Sequence, residues 1–274
     1  MVLHLLNSTF PAAMSFDQPK HSSEKNNKVE KAARQLTRAR ESGERISQLC
    51  VDAQPHTVDE AHQIQAATVS LLRDTVSGWK VAISPTGEFM YGAVLASRVF
   101  DSPARLRQTM CPMMTVEVEV AFRFTRELPQ RLAPYSYQEV LEAVQPFAAI
   151  EVIDSRYANY AETPWLQRAA DFMSNGAFVK GDDFRGWETR NLSQLDVALS
   201  VGGETIVTKK GGHPAGDPYS LVVTLVNFVR AQSGVGAGQF VTTGSFTGMT
   251  RVGIAELVSG QFDSLESAVV EFVQ

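Results

Sequence analysis

The clearest alternation of hydrophobic and polar positions lies at residues 115–121, where valine alternates with glutamate. A period of two is typical of a β-strand, whose successive side chains point to opposite faces. We therefore expect the valines on a buried face and Glu117 and Glu119 together on the other, with Cα atoms about 6.5 Å apart. Such a pair either forms the solvated face of an edge strand or binds a hard metal ion.

A third acid changes the balance between these two interpretations. Residues 147–153 predict a nearly all-apolar strand, and Glu151 lies in its middle. Removing a carboxylate from water is costly unless it is ion-paired or ligates a metal. Glu151 therefore favours the metal-binding interpretation of the strand at 115–121.

Helical spacing and capping signals predict the helices. An amphipathic helix is expected over residues 29–49, with a break near Gly43. Thr57 and Ser136 each begin a capping-box sequence, and the first of these helices is expected to run to about residue 76. Asp217, which is followed by a proline, is expected to cap a later helix.

Further short strands complete the predicted fold. One at residues 79–83 carries Lys80, and others are expected at 91–95, 195–199, 205–208, 239–243, 250–255 and 268–273. Residues 172–179 are expected to pass from loop to strand. Because strands and helices do not alternate, a doubly wound parallel sheet is not expected. The prediction is an α+β protein: a mixed, mostly antiparallel β-roll or barrel with flanking helices. We divide it into a flexible tail (1–28), a helical or lid region (29–110) and a metal-binding β-roll domain (111–274).

Composition excludes some function classes. The chain has 274 residues and a net charge of −5, which argues against non-specific nucleic-acid binding. Cys50 and Cys111 fit no disulfide or metal spacing, so reduced thiols and a cytoplasmic location are expected. No apolar run approaches the ~20 residues that a membrane span needs, so no membrane association is expected.

Several motifs in order along the chain resemble one enzyme family. They are Asp-Glu-Ala-His-Gln-Ile-Gln at 59–65, Gly-Trp-Lys-Val at 78–81, Val-Glu-Val-Glu-Val-Ala-Phe at 116–122, Ala-Ile-Glu-Val-Ile-Asp-Ser-Arg-Tyr at 149–157, Ser-Asn-Gly-Ala-Phe-Val at 174–179, Gly-His-Pro-Ala at 212–215 and Thr-Gly-Ser at 243–245. From about residue 30 onward the chain resembles the fumarylacetoacetate hydrolase superfamily. Within it, the chain is most similar to the 2-keto-4-pentenoate hydratase and 4-oxalocrotonate decarboxylase branch.

The resemblance implies a β-roll that holds Mg²⁺, or Mn²⁺ in its place, through Glu117, Glu119 and Glu151. Three carboxylates leave about half of an octahedron open. A 2-oxo acid can chelate that open half, and the metal can then stabilise its enolate. The implied activity is that of a lyase in aromatic catabolism, acting on a small unsaturated 2-oxo acid.

The same resemblance assigns the residues around the substrate. Lys80 is expected to bind the substrate carboxylate or to move protons. Ser174, the backbone around Asn175 and Gly176, and Ser245 are expected to hold the carboxylate or a water molecule. Structural alternatives are a lysine whose stem packs on the neighbouring tryptophan and a serine that serves only a turn.

One departure from the family pattern concerns the loop after the lysine strand. Hydratases of this branch carry an aspartate there, whereas this chain has Met90 at that position, and Glu88 is the possible substitute. Asp154 and Arg156 are expected to form an ion pair near the site. Asp171 is either a support for the site or simply a loop acid.

Three functions follow as hypotheses. The first is a hydratase that adds water to a 2-hydroxydienoate. The second is a 4-oxalocrotonate-type decarboxylase, or a hydrolase or decarboxylase acting on acylpyruvates or oxaloacetate. The third is a catalytically weak partner subunit, since hydratases and decarboxylases of this branch can pair. The family also implies a homo-oligomer.

Overall fold

The part of the chain described in the computed structural model is residues 20–274, with side chains from residue 27. Its α-helices are α1 (Lys20–Ser42), α2 (Val58–Leu72), α3 (Tyr137–Leu141), α4 (Trp165–Ala170) and α5 (Pro218–Val229). Its strands are β1 (Val76–Ile83), β2 (Phe89–Leu95), β3 (Val99–Asp101), β4 (Ala104–Arg107), β5 (Thr115–Phe124), β6 (Val144–Ile153), β7 (Asn175–Asp183), β8 (Asp196–Val201), β9 (Glu204–Lys210), β10 (Phe240–Ser245), β11 (Thr250–Arg251), β12 (Leu257–Phe262) and β13 (Glu266–Val273).

Within residues 20–274 these strands form two sheets. The larger runs β2-β1-β10-β5-β6-β7-β3, with β11 beside β5, and the smaller runs β4-β13-β12-β8-β9. Most neighbouring pairs are antiparallel, while β1–β10, β3–β7 and β4–β13 are parallel. The predicted mixed α+β architecture is therefore confirmed.

The main core lies between the sheets and explains the valines of β5. Val116, Val118 and Val120 are fully buried in it. The smaller sheet approaches closely here, because a Cβ on Gly260 of β12 would lie 2.7 Å from the Val118 methyl groups. The opposite face of β5 belongs to a half-barrel whose floor is a separate apolar cluster, which includes the stacked rings of Phe178 and Phe240.

A helical layer covers one side of this half-barrel. α1, α2 and α4 bury a cluster that includes Leu36, Ile64 and Tyr157. The three predicted helix caps are confirmed. The side chains of Thr57, Ser136 and Asp217 each accept a hydrogen bond from a backbone N–H of the helix that follows, and Ser136 forms a full capping box.

The predicted break near Gly43 is confirmed, because α1 ends at Ser42 and Gly43 adopts a left-handed φ of 76°. Several other predicted boundaries were wrong. α2 ends at Leu72 instead of near residue 76, and left-handed Arg73 follows it. Residues 20–28, assigned to the tail, begin α1, whereas residues 1–19 lie outside the described part. The predicted strand 250–255 is only the two-residue β11, while β3, β4 and β12 were not predicted. No described helix is both long and apolar enough to cross a membrane.

Candidate metal centre

Three glutamates from two neighbouring strands converge on one point. In the antiparallel pairing of β5 with β6, Glu117 lies directly opposite Glu151, and Glu119 follows two residues along on the same face. One carboxylate oxygen from each of the three lies within 4.8 Å of the others. The predicted strand alternation and the sheet register together produce this cluster.

The cluster is largely removed from water. Glu119 and Glu151 are buried, and Glu117 is partly buried. Burial raises the pKa of Glu117, and burial together with the charge of Glu151 raises the pKa of Glu119 well above its usual range. Carboxylates in such a site need a cation to stay ionised at neutral pH.

Lys80 supplies one positive charge. It lies on β1, which pairs with β10, and β10 pairs with β5. Its ammonium nitrogen lies 2.8 Å from Glu151 Oε2, and its side chain is only 12% exposed. Burial lowers the pKa of Lys80, but the opposing charges of the three glutamates, that of Glu151 first, outweigh it and hold the pKa above its usual value.

The net charge of the three glutamates and Lys80 matches a divalent cation. Three carboxylates and one ammonium group give −3 + 1 = −2. A divalent ion neutralises that charge, and carboxylate oxygens are the ligands that Mg²⁺, Ca²⁺ and Mn²⁺ prefer. The residues present therefore fit a divalent metal held by Glu117, Glu119 and Glu151.

Neighbouring strands hold each carboxylate in place. Thr242 donates its hydroxyl proton to Glu119 Oε2, which also accepts the Gly244 N–H at 3.2 Å. Asn175 Nδ2 donates to Glu151 Oε1 at 2.9 Å. Ser245 bonds Glu117, and its hydroxyl also accepts the Gly248 N–H at 2.8 Å. These contacts orient the candidate ligands before any metal binds.

Thr242 and the Gly244 N–H were not predicted as site groups. A signal for Thr242 is present in the sequence, since it is a polar residue in the apolar run that starts β10. Its direction toward Glu119 depends on the pairing of β10 with β5, where Thr242 lies opposite Ala121. That pairing joins segments about 120 residues apart.

We expect Thr242→Val to weaken Mg²⁺ affinity by roughly 10- to 100-fold, the usual cost of losing a support to a ligand. The reason is that Glu119 loses its hydroxyl donor while side-chain volume is nearly unchanged. Titration calorimetry of the metal-free protein measures this. Thr243→Val is the matched control, because that hydroxyl bonds the Val120 carbonyl instead of a glutamate. Equal Mg²⁺ affinity in the two variants would contradict the assignment.

Ser174 precedes Asn175, whose amide contacts Glu151, and lies in a strained segment. Phe172, Met173 and Ser174 all have left-handed φ values between 52° and 61°, a conformation that costs non-glycine residues energy and is often found at functional sites. The Ser174 hydroxyl is buried and has no hydrogen-bond partner among the described residues. Gly92 allows this segment to pack against β2, since a Cβ at residue 92 would lie 2.5 Å from the Phe172 carbonyl oxygen.

The other predicted site residues lie in different surroundings. Gly176 follows Asn175 on β7, and a Cβ there would lie 2.6 Å from the Asp154 Cβ, so its contact is with the protein itself. Glu88 is exposed in the turn between β1 and β2, where it accepts the Thr86 hydroxyl at 3.0 Å. The described contacts of Glu88 are within this turn and do not connect it to the three glutamates.

Comparisons with known proteins agree with the sequence motifs. No family model matches the chain. It is 27% identical over 257 residues to the 2-keto-4-pentenoate hydratase of Paraburkholderia xenovorans strain LB400, covering 89% of this chain and 94% of that protein. It is 30% identical over 125 residues to the 4-oxalocrotonate decarboxylase of Pseudomonas putida, covering 45% and 47% of the two chains.

Solved structures share the fold. The 4-oxalocrotonate decarboxylase of Pseudomonas putida G7, complexed with magnesium and adipate, superposes with a TM-score of 0.78 at 21% identity, over 90% of this chain and 98% of that one. The fumarylacetoacetate hydrolase of Exiguobacterium antarcticum gives a TM-score of 0.54 at 13% identity, over 73% and 76%. The chain thus has the fold of the fumarylacetoacetate hydrolase superfamily and is a sequence relative of its 2-keto-4-pentenoate hydratases, as the motifs predicted.

Proposed function

We propose that this protein is a divalent-metal-dependent lyase that acts on a small unsaturated 2-oxo acid, and that it is a hydratase of the 2-keto-4-pentenoate type. The observation that carries the proposal is the convergence of Glu117, Glu119 and Glu151 within 4.8 Å, with the Lys80 ammonium 2.8 Å from Glu151. The hydratase assignment is supported by the similarity to the 2-keto-4-pentenoate hydratase of Paraburkholderia xenovorans, which covers 94% of that protein.

Mg²⁺ is the ion we propose for the site, with Mn²⁺ as its substitute. Bound there, it would act as a Lewis acid on the oxygen of the 2-oxo group. The three glutamates would hold it. The preference for Mg²⁺ is supported by the all-oxygen donor set and by the magnesium in the decarboxylase structure of the same fold.

Lys80 is the group that we assign to proton movement or to substrate binding. Hydration moves a proton from the enol oxygen of the dienoate to the far end of the diene, and water then adds across the double bond that remains conjugated with the ketone. A cationic group beside the site can bind the substrate carboxylate or exchange such protons. The ion pair with Glu151 keeps the Lys80 ammonium protonated and fixed in position.

We assign the substrate carboxylate or a water molecule to the segment 174–176. The free hydroxyl of Ser174 supports this assignment, because a buried hydroxyl without a partner gains a hydrogen bond when a ligand reaches it. Asn175 has a second task, since its amide already holds Glu151. Ser245 is likewise engaged with Glu117 and with its own turn.

A decarboxylase is the second candidate. It is supported by the similarity to a curated 4-oxalocrotonate decarboxylase over 125 residues and by the fold of the decarboxylase structure. The same three glutamates would hold the metal in both reactions, and the metal would supply a Lewis acid to the 2-oxo group in each. The products differ, since decarboxylation releases CO₂ and hydration yields a hydroxylated ketone.

A substrate panel tests the proposal. We expect the Mg²⁺-loaded protein to hydrate 2-hydroxypenta-2,4-dienoate, to lose activity on chelation, and to regain it with Mg²⁺ or Mn²⁺. Parallel assays with 4-oxalocrotonate, an acylpyruvate and oxaloacetate, with product analysis by NMR and CO₂ detection, separate hydration from decarboxylation and C–C cleavage. If the protein binds Mg²⁺ tightly but turns over none of these compounds, the proposed enzymatic activity is contradicted and the partner-subunit hypothesis is favoured.

A further inference from the structure

A second group of buried and half-buried charges lies apart from the three glutamates, at the junction between α1 and the end of β6. Four arginines line a cavity of about 60 Å³ there together with Asp154. They come from four separate segments of the chain: Arg40 from α1, Arg45 from the loop after it, Arg98 from the single helical turn after β2, and Arg156 from the loop after β6. We call this space the arginine cavity.

Positive charge exceeds negative charge around the arginine cavity. Among the described residues, the carboxylates that pair with these arginines are Asp154 and Asp171. Four guanidinium groups and two carboxylates give +4 − 2 = +2. Buried charge of one sign is costly unless a counter-charge is present.

Each of the two aspartates forms a short ion pair with one arginine. Arg156 Nε lies 2.7 Å from Asp171 Oδ1, and Arg45 Nη2 lies 2.7 Å from Asp154 Oδ1. The expected pair of Asp154 with Arg156 is present but long, at 3.5 Å.

The other two arginines are left with weak partners. Arg40 has a side chain only 5% exposed, yet its polar contacts are long, at 3.5 Å to Asp171 and 3.4 Å to the Asn175 carbonyl. Its guanidinium also lies 5.0 Å from the centre of the Phe172 ring, a contact that does not neutralise its charge. Arg98 donates to the Met110 carbonyl at 3.4 Å and has no carboxylate partner among the described residues. Burial, and then the charge of Arg156, lower the pKa of Arg40 to about 9, so it remains charged at neutral pH without full compensation.

We propose that the arginine cavity binds a small oxyanion, either a phosphate-type ion or a carboxylate. Arginine forms paired, charge-assisted hydrogen bonds to both classes. A space of about 60 Å³ equals the liquid volume of about two water molecules, so it admits only a small group. The site is separate from the metal centre, although Asn175 touches both: its carbonyl accepts Arg156 at 3.2 Å and its amide holds Glu151.

Anion-dependent thermal unfolding of the metal-free, full-length protein tests this proposal. We expect sodium phosphate or sodium acetate to raise the unfolding midpoint saturably, by roughly 4 °C or more, because a ligand that binds only the folded state stabilises it. Sodium chloride at matched ionic strength should give a smaller, non-saturating change. The anion that saturates at the lower concentration identifies the class, phosphate or carboxylate.

Variants locate the binding site. Arg98→Gln is expected to fold, since its one described contact is with a carbonyl, and to weaken the anion affinity at least 10-fold. Arg105→Gln is the matched control, because Arg105 is exposed on β4. Glu117→Gln, at the metal centre, should keep the anion response. The proposal is overturned if chloride matches both oxyanions, if Arg98→Gln responds like the unsubstituted protein, or if Glu117→Gln loses the response.

Discussion

Glu117→Gln is expected to reduce Mg²⁺ affinity by more than about 100-fold and to abolish turnover while the fold remains intact. Loss of a residue that only hydrogen-bonds to a metal ligand lowers metal affinity about 10- to 100-fold. Loss of a charged ligand should therefore lower it further. Glu117 is the best of the three to test. Replacing Glu151 would also leave Lys80 without its charged partner. Glu119 is buried and accepts two hydrogen bonds, from Thr242 and Gly244, whereas Glu117 is only partly buried.

Stability separates this loss of metal binding from unfolding. In the metal-free protein, burial first and then the charge of Glu151 raise the pKa of Glu117, while the charge of Lys80 lowers it in part. Removing this carboxylate reduces the net negative charge of the three glutamates and Lys80 from −2 to −1 and leaves one partly buried carboxylate fewer, so the unfolding midpoint should stay the same or rise. Calorimetric Mg²⁺ titration, initial rates and thermal unfolding measure these quantities. Glu127→Gln, an exposed position just after β5, is the control. Full turnover with metal still bound would refute the ligand assignment.

Lys80→Met should have the second largest effect, with the opposite behaviour toward the metal. The substitution removes the one positive charge identified beside the three glutamates, so Mg²⁺ affinity should be equal or higher. Turnover should nevertheless fall by about 10²- to 10⁴-fold if Lys80 moves protons in the reaction. If Lys80 only binds the substrate carboxylate, KM should rise while kcat changes little.

Steady-state kinetics and Mg²⁺ titration on the same preparation distinguish these results. Lys80→Arg keeps the charge, so it should restore substrate binding but not proton transfer, since a guanidinium does not give up its proton. Lys210→Met, at an exposed lysine of β9, is the matched control. Unchanged kcat and KM in Lys80→Met would exclude Lys80 from the site.

Local patterns were sufficient for much of the fold around this centre. The alternation at 115–121 placed Glu117 and Glu119 on one face because a strand has a period of two whatever its neighbours are. The capping residues Thr57, Ser136 and Asp217 predicted helix starts, since a cap bonds to the backbone within three residues. The strands β3 and β4 were not predicted from the sequence. Each forms by pairing with a strand far along the chain, β3 with β7 and β4 with β13.

The sequence by itself determined that three acids lie in two largely apolar strands, a costly arrangement that favours a bound cation. Only the tertiary structure decided that β5 and β6 pair with Glu117 opposite Glu151, that β10 brings Thr242 to Glu119, and that β1 brings Lys80 within reach. It also decided that four separate arginines surround one cavity. The physical reason is that strand register and sheet order are set by hydrogen bonds and packing between distant segments, which no local pattern contains.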